Sequence, residues 1–276
     1  MELQPRYDGP PLLRLDGEPG DVAGPLLRQR RRFADLLATL SADEWAAPSR
    51  CEAWTVKDVV AHLVDTNRFW VASMQAGLAG EPTRFLTGFD PVTTPALLVD
   101  AGRSSSAEEV LAQFVETEEA MAFAADLDDD AWAVTAEAPP GHIPMWAVAS
   151  HALWDAWVHE RDVVLPLGRR ALEEPDEVAV SLRYAVALGP ALLATTGSTR
   201  AGTLGVRATR PDVALVVELG DTVVVREGPA PAGAPVLTGD AVDLVEAMSF
   251  RSPLVHDLVA DDQWMLGGLA AVFDLV

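Results

Sequence analysis

The chain is poor in thiols and in basic charge, and each shortage narrows what it can do. Cys51 is the only cysteine in 276 residues, so no intrachain disulfide can form and a thiolate zinc cluster is excluded. Acidic residues number 42 against 20 basic ones, for a formal charge of −22. That balance repels nucleic-acid phosphates and anionic membrane surfaces. Lys57 is the one lysine, and the one basic cluster, Arg28 to Arg32 with Gln29 interposed, reads as a solvated face of a first helix. Hydrophobic residues make up 49%, yet no stretch approaches the roughly 18 uninterrupted apolar residues of a membrane span. The opening MELQPRYDGPPLLRLDGEPGD has no basic segment leading into an apolar one, so a secretory signal is not expected. Walker loops, dinucleotide-binding glycine fingerprints and G-x-S-x-G elbows are missing as well. The expectation is a cytoplasmic protein acting on a small molecule, without a nucleic-acid or membrane partner.

What is present is a stripe of metal-capable side chains. His151, Asp155 and His159 recur every four residues in HALWDAWVHERD, and positions i, i+4 and i+8 of an α-helix project from one face. No Gly or Pro interrupts the span from Ala147 to Leu165. A metal needs a further ligand from elsewhere, and the remaining histidines are His62, His142 and His256. His62 sits in the other strongly helical segment, WTVKDVVAHLVD, where Thr55 and Asp58 have the spacing of a capping box. Asp58 is therefore read as a helix-start residue and not as a ligand. A histidine from one helix plus an i, i+4 carboxylate and histidine from another leaves open positions on a metal, as catalytic sites do. Taken singly, His62 would be a hydrogen-bonded core residue and Asp155 a surface charge or the partner of an arginine. Cys51 precedes a helix entry and has no histidine near it in sequence, which favours a structural thiol.

The chain divides near residue 170. Before it, helical patterns cover Val22 to Leu40, Thr55 to about Leu78, a run from Ser104–Ser106 to about Leu127, and the stripe helix. The second and third are separated by a loop long enough to serve as a lid or binding wall. Seven of the eight tryptophans precede residue 165, which marks this half as the aromatic core. After it, Pro175 opens a helix that stops at Gly189–Pro190. Strand signals follow at Thr203–Ala208, Val213–Leu219, Thr222–Arg226 and Pro235–Thr238, with Gly220–Asp221 as a hairpin turn. A helix then runs from Gly239–Asp240 to Met248, and an apolar segment, Trp264 to Val276, closes the chain. The spacing predicts a four-helix bundle over 1–170 and a small α+β domain with an antiparallel sheet over 171–276.

The segments LSADEWAAPSRCEAWTVKDVVAHLVD and DAWVHERDVVLPLG resemble the mycothiol-dependent maleylpyruvate isomerase family, a branch of the DinB-like metal-binding bundles. The resemblance implies a DinB-like four-helix bundle followed by a small α+β domain. It carries three metal ligands onto His62, Asp155 and His159, with zinc as the expected divalent metal and mycothiol as the possible co-substrate. Two positions depart from the family pattern: Asp155 stands where glutamate is usual, and Ala53 where glycine precedes the tryptophan. The extra stripe residue, His151, is a candidate fourth ligand, proton shuttle or supporting group. Asp162 is a candidate partner for His159, or else a surface carboxylate. Arg251, in the MSFRSP turn, matches a family arginine and is a candidate carboxylate clamp; the alternative is an arginine at a helix C-terminus facing the macrodipole.

A divalent metal with three ligands polarises a carbonyl or holds a thiol as thiolate. In the resembled isomerases the thiolate adds to an activated double bond, the resulting single bond rotates, and elimination returns the other isomer. The expected activity is therefore cis–trans isomerisation or thiol transfer on a small electrophilic, often carboxylate-bearing, substrate. Two alternatives stand beside it: a Lewis-acid metalloenzyme that uses no thiol, and a non-catalytic small-molecule-binding module.

Overall fold

The computed structural model describes residues 3–17, 21–195 and 200–267. In chain order the first half runs β1 (Leu13–Leu15), α1 (Ala23–Leu37), α2 (Ala42–Trp45), α3 (Val56–Leu78), α4 (Thr93–Gly102), α5 (Ala107–Met121), α6 (Asp129–Ala133), β2 (Thr135–Ala138), β3 (Gly141–Pro144) and α7 (Met145–Val164). The second half runs α8 (Pro175–Thr195), β4 (Gly202–Thr209), β5 (Val213–Leu219), β6 (Val223–Glu227), β7 (Val236–Asp240) and α9 (Ala241–Met248). The chain is a mixed α+β protein.

Local chemistry fixes where the helices begin. Ser41 with Glu44, Thr55 with Asp58 and Ser106 with Glu109 each form a reciprocal capping box at the starts of α2, α3 and α5, and such caps typically contribute about 1 kcal/mol each. Asp58 is thus a helix-start residue, as its spacing predicts. From Thr55 onward, α3 buries Val56, Val59, Val60, Leu63, Trp70 and Met74. It packs on α5 and α7, while α1 packs on α5 and α7 in turn. These contacts bring the middle of α3, with His62, against the middle of α7, with Asp155 and His159.

Several expectations need correction. The sheet is mixed, in the order β1-β6-β5-β4-β7. Its centre, β4–β5–β6, is antiparallel, but β1 runs parallel to β6 and β7 parallel to β4. The edges differ because neither strand arrives through a hairpin: β7 returns along β4 after a loop, and β1 crosses over from the N-terminal segment. Helix α8 continues through Gly189–Pro190 to Thr195. An interior proline costs roughly 3 kcal/mol; here Ala187, Leu188, Ala191 and Leu192 are buried around it, and their burial outweighs the lost hydrogen bond. By length and composition α8 is apolar enough to cross a membrane, but 72% of that window is buried within the protein, so it is a core helix. The α3–α5 connection carries α4, and the hairpin β2–β3 precedes α7. The α5 helix ends at Met121, and a 3-10 turn covers Ala122–Asp126. Of the closing apolar segment, residues 268–276 lie outside the described residues.

The basic cluster on α1 is a solvated face only in part: Arg28 and Arg31 are exposed, whereas Arg30 and Arg32 turn inward. Arg28 pairs with Asp176 and Glu177, and Arg32 with Glu160 and Glu177. Arg30 is 1% exposed and donates to Asn67 Oδ1 and to the Ala152 carbonyl. These acidic and amide partners tie α1 to α3, α7 and α8.

Candidate metal centre

Three side chains from two helices meet where α3 crosses α7. The ligand atoms of His62, Asp155 and His159 lie within 4.8 Å of one another. The two imidazole centroids are 5.0 Å apart, edge to face. His159 Nε2 is 3.6 Å from Asp155 Oδ1, close to the edge of about 3.3 Å of a tetrahedron whose bonds are near 2.05 Å. The His159 and Asp155 side chains are only 12% and 14% exposed, so the cluster is largely desolvated.

Two observations show that the residues present fit a divalent cation. Asp155 Oδ2 is buried and has no hydrogen-bond partner, a costly state for a carboxylate oxygen. Among the described residues His62 makes no hydrogen bond; its ring contacts only those of Trp54 and His159. Burial, reinforced by the neighbouring His159, holds the His62 pKa down to about 3, so its lone pair is available to a metal at neutral pH. Burial also pushes Asp155 up, opposed by the charges of His159 and Arg30. A cation between these groups would give the orphan oxygen a partner and take up the His62 lone pair.

The far side of His159 is as well defined as the near side. Its Nδ1 is 2.9 Å from Asp162 Oδ2, and Asp162 is fully buried. A proton on Nδ1 shared with that carboxylate leaves Nε2 facing Asp155 as the nitrogen that would exchange its proton for a cation, the usual way a ligating histidine is held. Burial opposes the charged form of His159, but Asp162, Cys51 and Asp155 outweigh it and raise its pKa to about 10.

Comparison with known proteins bears on the same elements. The family model described as the mycothiol maleylpyruvate isomerase N-terminal domain matches residues 26–164. The chain belongs to this family. Two solved structures resemble it over most of both chains: the crystal structure of the mycothiol-dependent maleylpyruvate isomerase and that of a histidine-to-alanine mutant of it. Each shows 16% identity and a TM-score of 0.58, covering 86% of this chain and 93% of the other. At that identity the likeness is one of fold. No curated protein sequence matches.

The isomerase-family match covers α1 to α7, and Arg251 lies beyond it. Its guanidinium grips Asp162 with both arms, Nε to Oδ1 at 2.8 Å and Nη2 to Oδ2 at 2.7 Å, while Nη1 donates to the Ser249 carbonyl at 2.9 Å. The guanidinium therefore has an internal carboxylate as its main partner and also caps the end of α9. Arg50 donates to Asp162 Oδ1 at 3.0 Å and pairs with Glu246, which Arg161 also reaches. Burial opposes the low pKa of Asp162, but His159 and Arg251 hold it far below the usual carboxylate range.

Cys51 departs from its reading as a thiol without a histidine neighbour. Its Sγ is 3.3 Å from Asp162 Oδ2, 3.9 Å from His159 Nδ1 and 3.7 Å from Arg251 Nη2. It lies on the Nδ1 side of His159, away from the face shared with Asp155 and His62. Arg50 was missed altogether. The one clue to either residue is its place in the turn four or five positions ahead of the Thr55 cap, where the Arg50 N–H donates to the Asp162 carbonyl at 3.0 Å. His151, the third stripe residue, is buried among Trp70, Trp154 and Tyr184 and joins none of the metal-capable groups.

Proposed function

We propose that this chain is a divalent-metal-dependent enzyme of the mycothiol-dependent maleylpyruvate isomerase type, acting on a small unsaturated carboxylate with a low-molecular-weight thiol as co-substrate. The observation that carries the reading is the convergence of His62, Asp155 and His159 at the α3–α7 crossing, with an unpartnered buried carboxylate oxygen among them. We read the mutual packing of α1, α3, α5 and α7 as the bundle that presents these ligands inward. Residues 1–170 serve as the ligand-bearing unit and 171–276 as the unit that buttresses it.

A bound divalent cation, zinc by the preference of two imidazoles and a carboxylate, supplies thiol acidification and carbonyl polarisation. The protein's own residues do the rest. His62 presents a neutral nitrogen, His159 would give up its Nε2 proton to the cation, and Asp155 balances charge. Asp162 fixes the ring plane of His159, and Arg50 with Arg251 fixes Asp162. In the reaction a thiolate sulfur forms a bond to one carbon of the substrate's double bond, and the former double bond rotates as a single bond. Elimination then breaks the carbon–sulfur bond, returning the thiolate and the opposite isomer. Arg251, 22% exposed at its side chain, is a candidate cation for a substrate carboxylate. His151 lies one helical turn from Asp155 and is the candidate to meet the substrate's polar end.

The test is metal analysis of the purified protein followed by proton NMR of maleylpyruvate with and without mycothiol. Stoichiometric metal and thiol-dependent conversion of the cis to the trans vinyl signals are expected. Turnover that needs metal but no thiol would favour a Lewis-acid enzyme, and absence of bound metal would overturn both.

A further inference from the structure

Helix α9 packs on α8, β4 and β7, yet it anchors both arginines that grip Asp162. Glu246, in its last turn, is 7% exposed. Its carboxylate accepts from Arg50 Nη1 at 2.6 Å, from Arg50 Nη2 at 3.1 Å and from Arg161 Nε. Arg50 is therefore held at both terminal nitrogens by Glu246, which leaves its Nε to donate to Asp162 Oδ1 at 3.0 Å. The main-chain carbonyl of Glu246 accepts from the Arg251 N–H at 2.8 Å. Between them Phe250 has a φ of 57°, a left-handed conformation that bulky residues rarely adopt. Trp154 Nε1 on α7 donates to Ser249 Oγ at 3.0 Å and so ties this turn to the helix that carries His159.

Packing alone does not explain a carboxylate here. Burial opposes the charge of Glu246, but Arg50 and Arg161 keep its pKa below the usual carboxylate range. A buried ion pair stabilises a fold weakly, and apolar side chains of similar volume often replace it without loss. What only a carboxylate provides is a bidentate grip that fixes the angle of a planar guanidinium. The charges run the same way. Arg50, Arg161 and Arg251 place three positive charges here; Asp162 and Glu246 balance two of them, and Glu173, nearer the surface, the third. Loss of Glu246 would leave an unbalanced guanidinium against Asp162, free to swing from its angle and opposing the approach of a cation to His159.

We propose that Glu246 is a positioning residue: acting through Arg50, it fixes Asp162 and thereby the Nδ1 hydrogen bond that orients His159. The α+β half of the chain thus sets a ligand angle in the helical half. The inference rests on the isomerase-type reading only for the cation that His159 would bind.

Glu246→Gln keeps the volume and removes the charge. It is compared with the wild type as full-length protein in two ways. One is the ring ¹⁵N and Nδ1 proton signals of His159 after chelator treatment; the other is zinc affinity in competition with a chromophoric chelator. The expected result is a shift of the His159 signals and a zinc Kd raised about tenfold, with the helical circular-dichroism signal retained. Arg161→Gln removes the other partner of Glu246 and should lower Tm while leaving the His159 signals and zinc affinity near wild type. Arg50→Gln combined with Glu246→Gln should weaken zinc binding no more than Arg50→Gln alone, the non-additivity of residues acting in series. Should Glu246→Gln fail to fold, Glu246→Asp, which keeps the charge and shortens the reach, decides by the same signals. Unmoved His159 signals in the folded variant, or zinc losses that add in full, overturn the proposal. A wild type that takes up no zinc would sink the wider enzymatic reading alone, because the His159 signals are read in metal-free protein.

Discussion

Asp162 and His159 stand three residues apart on α7, and the carboxylate oxygen Oδ2 of one lies 2.9 Å from Nδ1 of the other. That contact makes Nε2 of His159, which faces Asp155, depend on a residue outside the proposed ligand set. Asp162→Asn keeps the volume but lets only one oxygen accept from His159, Arg50 and Arg251. Metal affinity is expected to fall about 10- to 100-fold, measured by competition with a chromophoric chelator, while the helical circular-dichroism signal persists.

His62→Ala removes a ring that makes no hydrogen bond among the described residues, so the fold loses packing and little else. Metal occupancy should collapse in elemental analysis, and stability should drop by about 1–3 kcal/mol in urea unfolding. Asp155→Ala should also abolish metal binding without unfolding the protein. Unfolding of that variant would mean that the carboxylate is structural.

Acid sensitivity follows from the buried imidazole of His151. Its folded pKa, near 3 through burial, lies below the value of about 6.5 in an unfolded chain. The unfolded state therefore binds more protons between these values, and stability rises with pH across that window. The contribution is full above about pH 6.5 and declines as pH falls toward 3. His151→Phe should flatten this slope, read as a smaller loss of Tm between pH 7 and pH 5.

Glu137 offers a test away from the proposed metal ligands. Fully buried on β2, it accepts hydrogen bonds from the Tyr7 and Thr83 hydroxyls and from the backbone N–H groups of Phe85 and Leu86. Glu137→Ala leaves those donors without an acceptor. A loss of about 3–5 kcal/mol is expected, with faster amide exchange at Phe85 and Leu86 by mass spectrometry.

Much of this was legible in the residues, and the parts that were not share a cause. Four-residue spacing fixed the face of α7, and Thr55 with Asp58 fixed the start of α3, so the angular positions of His62, Asp155 and His159 followed from helix geometry alone. Strands β4 to β6 announced themselves by β-branched runs. By contrast, Cys51, Arg50 and Arg251 meet at Asp162 from stretches up to 201 positions apart, and no local period records such a meeting. Strand β1, at three residues, is too short to carry an alternation. Arg30 and Arg32 looked solvated because their partners, Asn67, Glu160 and Glu177, lie on other helices. Pro190 looked like a helix stop because a proline's local cost is visible in sequence and the burial that offsets it is not.

Strand β1 has a practical consequence. Leu13, Arg14 and Leu15 pair with Val223, Val224 and Val225, so a polypeptide severed between α7 and α8 would lose this edge pairing on both pieces. Dissecting the protein there should yield fragments that aggregate when expressed singly and recover a native spectrum only when mixed.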